Sequence, residues 1–341
     1  MNVTLGQRLG ILRNRFSHRL RRLPVLVLMP HSRCNCRCIM CDIWRANAHG
    51  HELTERDLDV HWGALQRLNP QWVVLSGGEP LMHSSLFALC ARFRALEARI
   101  TLLSTGLLIE KFALPIAKHV DDLIISLDGS PSVHNAIRNV PRAFERLAAG
   151  VAALRANAPD FRITARCVIQ RANFRDLPNI VSTARDLSLN QISFLPADVT
   201  SEAFNRPGGW PHDRADAVAL TLAEAEELEA LLERHAARLR DDYVSGFIAE
   251  SPRKLQRIVA YYRALHGAGD FPVVRCNAPW VSAVVEADGR VRPCFFHPPY
   301  ESPEAADLDT IINASAAVAF RRGLDVRHDS LCQRCVCSLH L

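Results

Sequence analysis

Long apolar runs are absent from this chain of 341 residues. Nothing approaches the roughly 18 consecutive apolar residues that a membrane-spanning helix needs, and no small-residue cleavage site follows an apolar opening stretch. The expectation is a chain that neither spans a membrane nor is secreted, and that works in the cytoplasm. An excess of one charge sign is lacking too: 41 Lys and Arg face 36 Asp and Glu, and the net +5 is spread along most of the chain. That distribution argues against a nucleic-acid partner, whose footprint is concentrated. With 48% hydrophobic and 23% charged residues, the chain is neither disordered nor of low complexity. One large domain, or a barrel with an appended module, fits its length.

One absence is local. No acidic residue precedes Asp42, while Arg8, Arg13, Arg15, Arg19, Arg21 and Arg22 alternate with Leu5, Leu9, Leu12, Phe16 and Leu20. This basic amphipathic segment, residues 1–24, suits peripheral contact with a membrane surface or a targeting peptide, or simply a helix packed beside the first strand.

Cysteine, by contrast, is plentiful and clustered. Eleven are present: Cys34, Cys36, Cys38 and Cys41 near the start, Cys276, Cys294, Cys332, Cys335 and Cys337 near the end, and Cys90 and Cys167 alone. Without a secretory signal, such groups point to metal ligands rather than disulfides, and the two singletons to core thiols.

Between residues 25 and 197, short β-rich runs alternate with amphipathic stretches. The expected strands are Val25 to Met29, Trp72 to Ser76, Ile100 to Ser104, Leu123 to Leu127, Ile163 to Ile169 and Gln191 to Leu195. Helical patterns such as Glu55 to Leu68, with Thr54 as N-cap, and Leu86 to Ala98 lie between them. Right-handed crossovers curl such units into an α/β fold, a partial (β/α)6 TIM-like barrel, with an open doubly wound sheet as the alternative. Either way the chemistry belongs at the carboxyl ends of the strands. There lie the first cysteine cluster, Ser76-Gly77-Gly78-Glu79-Pro80, Ser104-Thr105-Gly106 and Asp128-Gly129, all on one rim. Residues 198–272 read as a helical connector, with patterns near Thr221 to Arg240 and Pro252 to Leu265. Residues 273–341 form a small cysteine-bearing module in which Val281 to Glu286 and Val291 to Phe296 flank the turn Asp288-Gly289.

The first cluster is C-x3-C-x2-C through Cys34, Cys38 and Cys41. Three thiolates on one loop can hold three irons of a cube and leave the fourth open to another ligand. Structural zinc is the alternative, though it usually draws on two separated pairs.

Cys34-x3-Cys38-x2-Cys41 after strand one, together with Gly77-Gly78-Glu79-Pro80 after strand two, resembles the radical S-adenosylmethionine superfamily. The resemblance implies a [4Fe–4S] cluster whose open iron chelates S-adenosylmethionine, cleavage of that cofactor to a 5′-deoxyadenosyl radical, and hydrogen abstraction from substrate. It assigns Gly77, Gly78 and Glu79 to the methionine ammonium, and Ser126 and Asp128 to the ribose or carboxylate. Ser104 and Leu195 are further pocket residues. Met40 stands where the family often has an aromatic contact to adenine.

The second cluster, Cys276-x12-Gly289-x4-Cys294 followed by Cys332-x2-Cys335, resembles the twitch and SPASM auxiliary-cluster modules of that superfamily. It implies one auxiliary [4Fe–4S] cluster, with zinc as the alternative and Cys337 unassigned. A fully ligated auxiliary cube accepts or relays an electron, which favours an oxidoreductase. The expected reaction is a two-electron oxidation of a small-molecule substrate, a polar, carbohydrate-like metabolite, with flavodoxin or ferredoxin as electron donor. Peptide modification, epimerisation and carbon-skeleton rearrangement are the enzymatic alternatives. An iron–sulfur electron carrier or zinc-binding protein is the non-enzymatic one. No general base is assigned: His134, Arg138, Arg166 and Arg171 follow or line strands four and five, where contact with an anionic or polar substrate is one reading and solvated surface the expected role.

Overall fold

The computed structural model describes residues 5–301 and 305–341. Parts of the expected N-terminal segment (residues 1–4) and of the terminal module (302–304) lie outside the described residues.

All six expected strands form: β1 (Val25–His31), β2 (Trp72–Gly77), β3 (Arg99–Ser104), β4 (Asp122–Ser126), β5 (Arg162–Ile169) and β6 (Gln191–Pro196). Each pairs in parallel with its sequence neighbour, which makes the partial barrel. Side chains two residues apart share a face of a strand. In β5, Ile163, Ala165, Cys167 and Ile169 are fully buried, whereas Thr164, Arg166 and Val168 are half-buried. The buried set packs against α6 (Ala143–Asn157) and α7 (Leu177–Asp186) in the main core. The half-buried set, with Ser126 of β4 and Ser193 and Leu195 of β6, lines the inner face.

Between the strands stand α2 (Glu55–Leu68), α3 (Leu86–Arg94), α4 (Ile109–His119) and α5 (Pro131–Arg138), preceded in the chain by α1 (Leu5–Ser17). Thr54 caps α2 as expected: its hydroxyl accepts from Asp57 N (3.2 Å), and the Asp57 carboxylate accepts from Thr54 N (2.8 Å). The third helix stops at Arg94 rather than Ala98, because Glu97 turns into the left-handed region at φ 59°.

The connector covers the edge strand β6. Its helices Leu222–Arg234 and Pro252–Leu265 pack on each other, and Tyr262 Oη donates to Ile169 O and accepts from Ala197 N (2.9 Å). The pattern near Thr221 to Arg240 breaks into Leu222–Arg234 and Arg240–Val244.

The terminal hairpin forms, as β7 (Ser282–Val285) and β8 (Val291–Arg292), with Gly289 in its turn at φ 82°. It also extends the barrel sheet, since β7 pairs in parallel with β1 from Val25↔Ser282 to Leu28↔Val285. The eight-stranded order is therefore β6-β5-β4-β3-β2-β1-β7-β8. The first helix packs not on β1 but on the segment leading into β7. Buried Asn14 donates to Trp280 O (3.0 Å) and Arg22 O (2.8 Å), and Ile11 packs with Trp280 and Val281. The terminal cysteines are thus held against the same sheet that carries the first cysteine loop.

Candidate functional site

The loop after β1 is stitched to the turn after β2. Gly78 N donates to His31 O (3.2 Å) and Glu79 N to Arg33 O (2.8 Å). The approach is so close that a Cβ on Gly78 would lie 2.0 Å from Arg33 O, and Gly77 adopts φ 106°. Both positions therefore require glycine.

On its other side the loop runs along the end of α5: Arg37 N donates to Arg138 O and Ile39 N to Ile137 O, each at 3.1 Å. Cys34 is held by Asn47, whose amide closes a reciprocal pair with the Cys34 backbone at 2.9 Å each way. The thiols of Cys34, Cys38 and Cys41 lie within electrostatic reach of one another. Burial pushes Cys34 and Cys41 up, the latter to about 12. Cys38 moves the other way, because Cys36 hydrogen-bonds to it and the Arg138 guanidinium stands beside it.

Arg138, expected from its sequence context on solvated surface, is instead buried, and the structure corrects that expectation. It is ion-paired with fully buried Asp128, and its Nη1 is 3.5 Å from Cys38 Sγ. A guanidinium survives there because it faces a carboxylate and a thiol together. His134 is buried as well, its Nδ1 accepting from Asp128 N (3.2 Å); burial and Arg138 lower it to about 3. Arg171 pairs with Glu224 (2.9 Å), while Arg166 stays half-buried on the inner face.

The donor set fits an iron–sulfur cluster. Cys34, Cys38 and Cys41 are unpaired thiols on one short loop, and two buried donors beside them, Asn35 Nδ2 and Arg138 Nε, have no hydrogen-bond partner. Anionic sulfur is the acceptor that such orphans lack.

The other candidates divide. Gly77 and Gly78 line a cavity of about 800 Å³. The Glu79 carboxylate instead turns inward: it accepts from Ser104 Oγ (3.0 and 3.1 Å), Thr105 N (2.7 Å), Thr105 Oγ1 (2.6 Å) and Leu81 N (3.1 Å). Ser104 lies on the helix side of β3 and is spent on that contact. Ser126 and Leu195 sit on the inner face. Asp128 is committed to Arg138 and to Val168 N (3.0 Å). Met40 packs among the four cysteines of the loop.

Two features have no counterpart among the residues expected from sequence. Asp42, directly after Cys41, accepts from Arg45 Nε (2.9 Å), Trp210 Nε1 (2.7 Å) and Arg214, and its carbonyl accepts from Asn205 Nδ2 (3.2 Å). This node ties the connector to the cluster loop. Asp198 forms a buried ion pair with Arg206 just beyond β6. Its place past a strand end was the available signal.

At the far side of the cavity lies the terminal set. Cys294 feels Cys276 and Cys337; Cys335 feels Cys337, Cys276 and Cys294; Cys332 feels Cys294 and Cys335. Ala278 N donates to Cys276 Sγ and His297 N to Cys294 Sγ, both at 3.5 Å. His297 is an addition to the expected residues: its Nε2 is 3.4 Å from Cys332 Sγ and 3.8 Å from the Asp329 carboxylate. Gathered thiols suit an iron–sulfur cluster or zinc equally, so the geometry alone does not name the metal.

The cavity runs from Met29, Gly77 and Gly78 at the ends of β1 and β2 to Arg334 and Cys335 of the terminal module, and none of Cys34, Cys38 and Cys41 lines it. The connector loop around Asp198 to Pro207, the terminal hairpin from Glu286 to Arg292 and the aromatics Phe295 and Phe296 contribute further walls.

Residues 28–184 match the radical SAM superfamily and residues 276–336 match the SPASM iron–sulfur cluster-binding domain. The radical SAM match implies S-adenosylmethionine and a [4Fe–4S] cluster, and the SPASM match implies auxiliary iron–sulfur binding. The chain is 30% identical over 195 residues to the pre-heme d1 synthase of Dinoroseobacter shibae, covering 56% of this chain and 48% of that one. It is 27% identical over 161 residues to the AdoMet-dependent heme synthase of Methanosarcina barkeri, covering 45% of each. It spans about half the length or less of these curated relatives. In fold it is similar to SuiB of Streptococcus suis bound to S-adenosylmethionine: TM-score 0.64, 13% identity, covering 97% of this chain and 76% of SuiB. It is similar also to anSMEcpe with bound AdoMet: TM-score 0.64, 15% identity, covering 89% and 84%. No helix among the described residues is long and apolar enough to cross a membrane.

Proposed function

We propose that this chain is a radical S-adenosylmethionine oxidoreductase that holds its substrate in the cavity between the rim and the terminal module. One observation carries the reading: a single cavity touches both Gly77-Gly78 and Cys335, so a substrate inside it has the radical-generating side on one wall and the electron-accepting side on the other. When bound, S-adenosylmethionine and the two clusters supply a hydrogen-abstracting carbon radical and an electron sink. The chain's own part is to place them. Cys34, Cys38 and Cys41 hold the rim cluster, while Cys276, Cys294, Cys332 and Cys335 hold the auxiliary one. The bare backbone at Gly77-Gly78 receives the methionine ammonium, and Ser126 and Leu195 contact the rest of the cofactor from the inner face. The reaction is a two-electron oxidation, with flavodoxin or ferredoxin as reductant in a reducing cytoplasm.

The substrate is a polar, hydroxyl-bearing metabolite of carbohydrate type, consistent with the hydrogen-bonding walls that His31, Ser32, Thr200, Ser201 and Asn205 provide. A second reading, a carboxylated tetrapyrrole, is favoured by the cavity volume of about 800 Å³ and by the names of the curated relatives. Anaerobically reconstituted protein with S-adenosylmethionine and dithionite separates the two. Equal amounts of 5′-deoxyadenosine and oxidised product from a sugar alcohol support the first reading. A perturbed Soret band on adding a porphyrin carboxylate, with turnover of that compound alone, replaces it by the second. Absence of any substrate-dependent 5′-deoxyadenosine rejects both.

A further inference from the structure

The outer face of α1 has no part in the proposed reaction, and it is apolar. Among the described residues the helix is anchored through one side, by Ile11 and by Asn14 against Trp280. On the opposite side Leu9 is 51%, Leu12 46% and Phe16 84% exposed. At 3.6 residues per turn these three fall within an arc of about 60°, roughly opposite the anchored side. Arg8 and Arg15 flank the stripe on one edge and Arg13 on the other, all exposed, and Arg19, Arg21 and Arg22 follow exposed just beyond the helix. None of these six arginines has an acidic partner among the described residues.

Packing explains the inward half of the helix and leaves the outward half unexplained. A stripe of large apolar side chains with cations on both edges has the geometry of a helix lying in a lipid interface. There the apolar side chains enter the acyl boundary, and the arginine stems reach up to place their charge among head groups. Six unpaired cations select the sign of the surface.

We propose that α1 is a peripheral docking surface for an anionic bilayer, with Leu9, Leu12 and Phe16 inserted and Arg8, Arg13 and Arg15 against lipid phosphates. The interface leaves the barrel rim free, because the face it uses is the one α1 turns away from the rest of the chain.

Flotation of the full-length, cluster-loaded protein with vesicles tests it. Vesicles of phosphatidylcholine mixed with phosphatidylglycerol are compared with phosphatidylcholine alone. Wild type should float with the mixed vesicles, not with the neutral ones, and lose binding as salt rises. Replacing Arg8, Arg13 and Arg15 together by Gln should lower partitioning about a hundredfold. The double change Leu12→Gln and Phe16→Gln, which keeps every charge, should lower it about tenfold or more. All positions changed are exposed, so iron content and melting temperature should match wild type in both variants. Absence of wild-type binding at low salt overturns the proposal, as does equal binding to neutral vesicles or binding that neither variant weakens. A concentration-dependent dimer abolished by the Leu12 and Phe16 changes, with vesicles ignored, overturns it in favour of a second copy of the chain.

Discussion

The two cysteine sites are built in opposite ways. The rim site takes its thiols from one short loop and spends the fold on holding that loop: β2 grips it at Gly78 and Glu79, α5 at Arg37 and Ile39, and the buried Arg138–Asp128 pair stands behind Cys38. The terminal site gathers thiols from three separated segments, leaves Cys337 exposed, and places a single imidazole beside one of them. A preformed loop backed by buried charge should tolerate the loss of none of its three thiols; a gathered site with a fifth, exposed thiol should tolerate the loss of that one.

The largest expected effect is on iron. Anaerobic reconstitution should load about eight irons, and the Cys34, Cys38, Cys41 triple alanine variant about four. The rim cluster should be lost outright. Single changes at the terminal site should divide: Cys276→Ala or Cys294→Ala should remove the auxiliary cluster, whereas Cys337→Ala should leave total iron near the wild-type value. Iron and sulfide assay with Mössbauer spectra reads each case. Retention of about eight irons in the triple variant would end the assignment of the rim loop.

Next comes stability. Arg138→Met leaves Asp128 buried without its counter-charge and should cost about 3–5 kcal/mol. The exposed Arg290, paired with Asp288 on the terminal hairpin, should cost under about 1 kcal/mol when changed to Ala. Urea unfolding of the two variants gives the ratio, and comparable losses would erase the contrast between the sites.

Part of this contrast is legible in the amino-acid sequence and part is not. Val25 to Met29 or Ile163 to Ile169 announce themselves by local apolar pattern, and the rule that chemistry follows strand ends is enough to locate Cys34 to Cys41 and Gly77 to Pro80. Burial of Arg138 depends on Asp128 and Cys38 meeting it in space, so local composition supports only the ordinary reading of a charged helix end. The same holds for Asp42, whose partners Trp210 and Arg214 arrive from the connector. The pairing of β7 with β1 is likewise non-local: Ser282 to Val285 looks like half of a hairpin, and nothing in the segment says that its other edge completes the barrel sheet.

The third effect is the pH dependence that His134 contributes on the rim side. His134 is held neutral down to about pH 3 by burial and by Arg138, whereas unfolded histidine takes up a proton near 6.5. Below that value the unfolded state binds the extra proton. The contribution of His134 is therefore fully present above about pH 6.5 and lost as pH falls towards 3. Between pH 7.5 and 5 it should amount to about 2 kcal/mol. His134→Gln should flatten the difference in unfolding free energy between those two pH values by about that amount. An unchanged slope would mean that the imidazole is open to protonation in the folded chain.

The smallest effect is at the terminal site and concerns tuning rather than survival. His297 Nε2 lies 3.4 Å from Cys332 Sγ, and burial lowers the basicity of the ring, so near neutral pH it is a neutral imidazole able to donate one N–H to the thiolate. Hydrogen bonds to cluster sulfur stabilise the reduced, more negative state and raise the potential. His297→Ala should therefore keep the wild-type iron content and shift the auxiliary potential downwards, as read by potentiometric titration with electron paramagnetic resonance. The rim signal should be unmoved, because no contact links His297 to Cys34, Cys38 or Cys41 among the described residues. Loss of about four irons in His297→Ala would instead make the imidazole a ligand, and the terminal site would then be as unforgiving as the rim. An unchanged potential would reduce the 3.4 Å contact to packing and leave the backbone amides of Ala278 and residue 297, which donate to Cys276 Sγ and Cys294 Sγ, as the donors that set the cluster's poise.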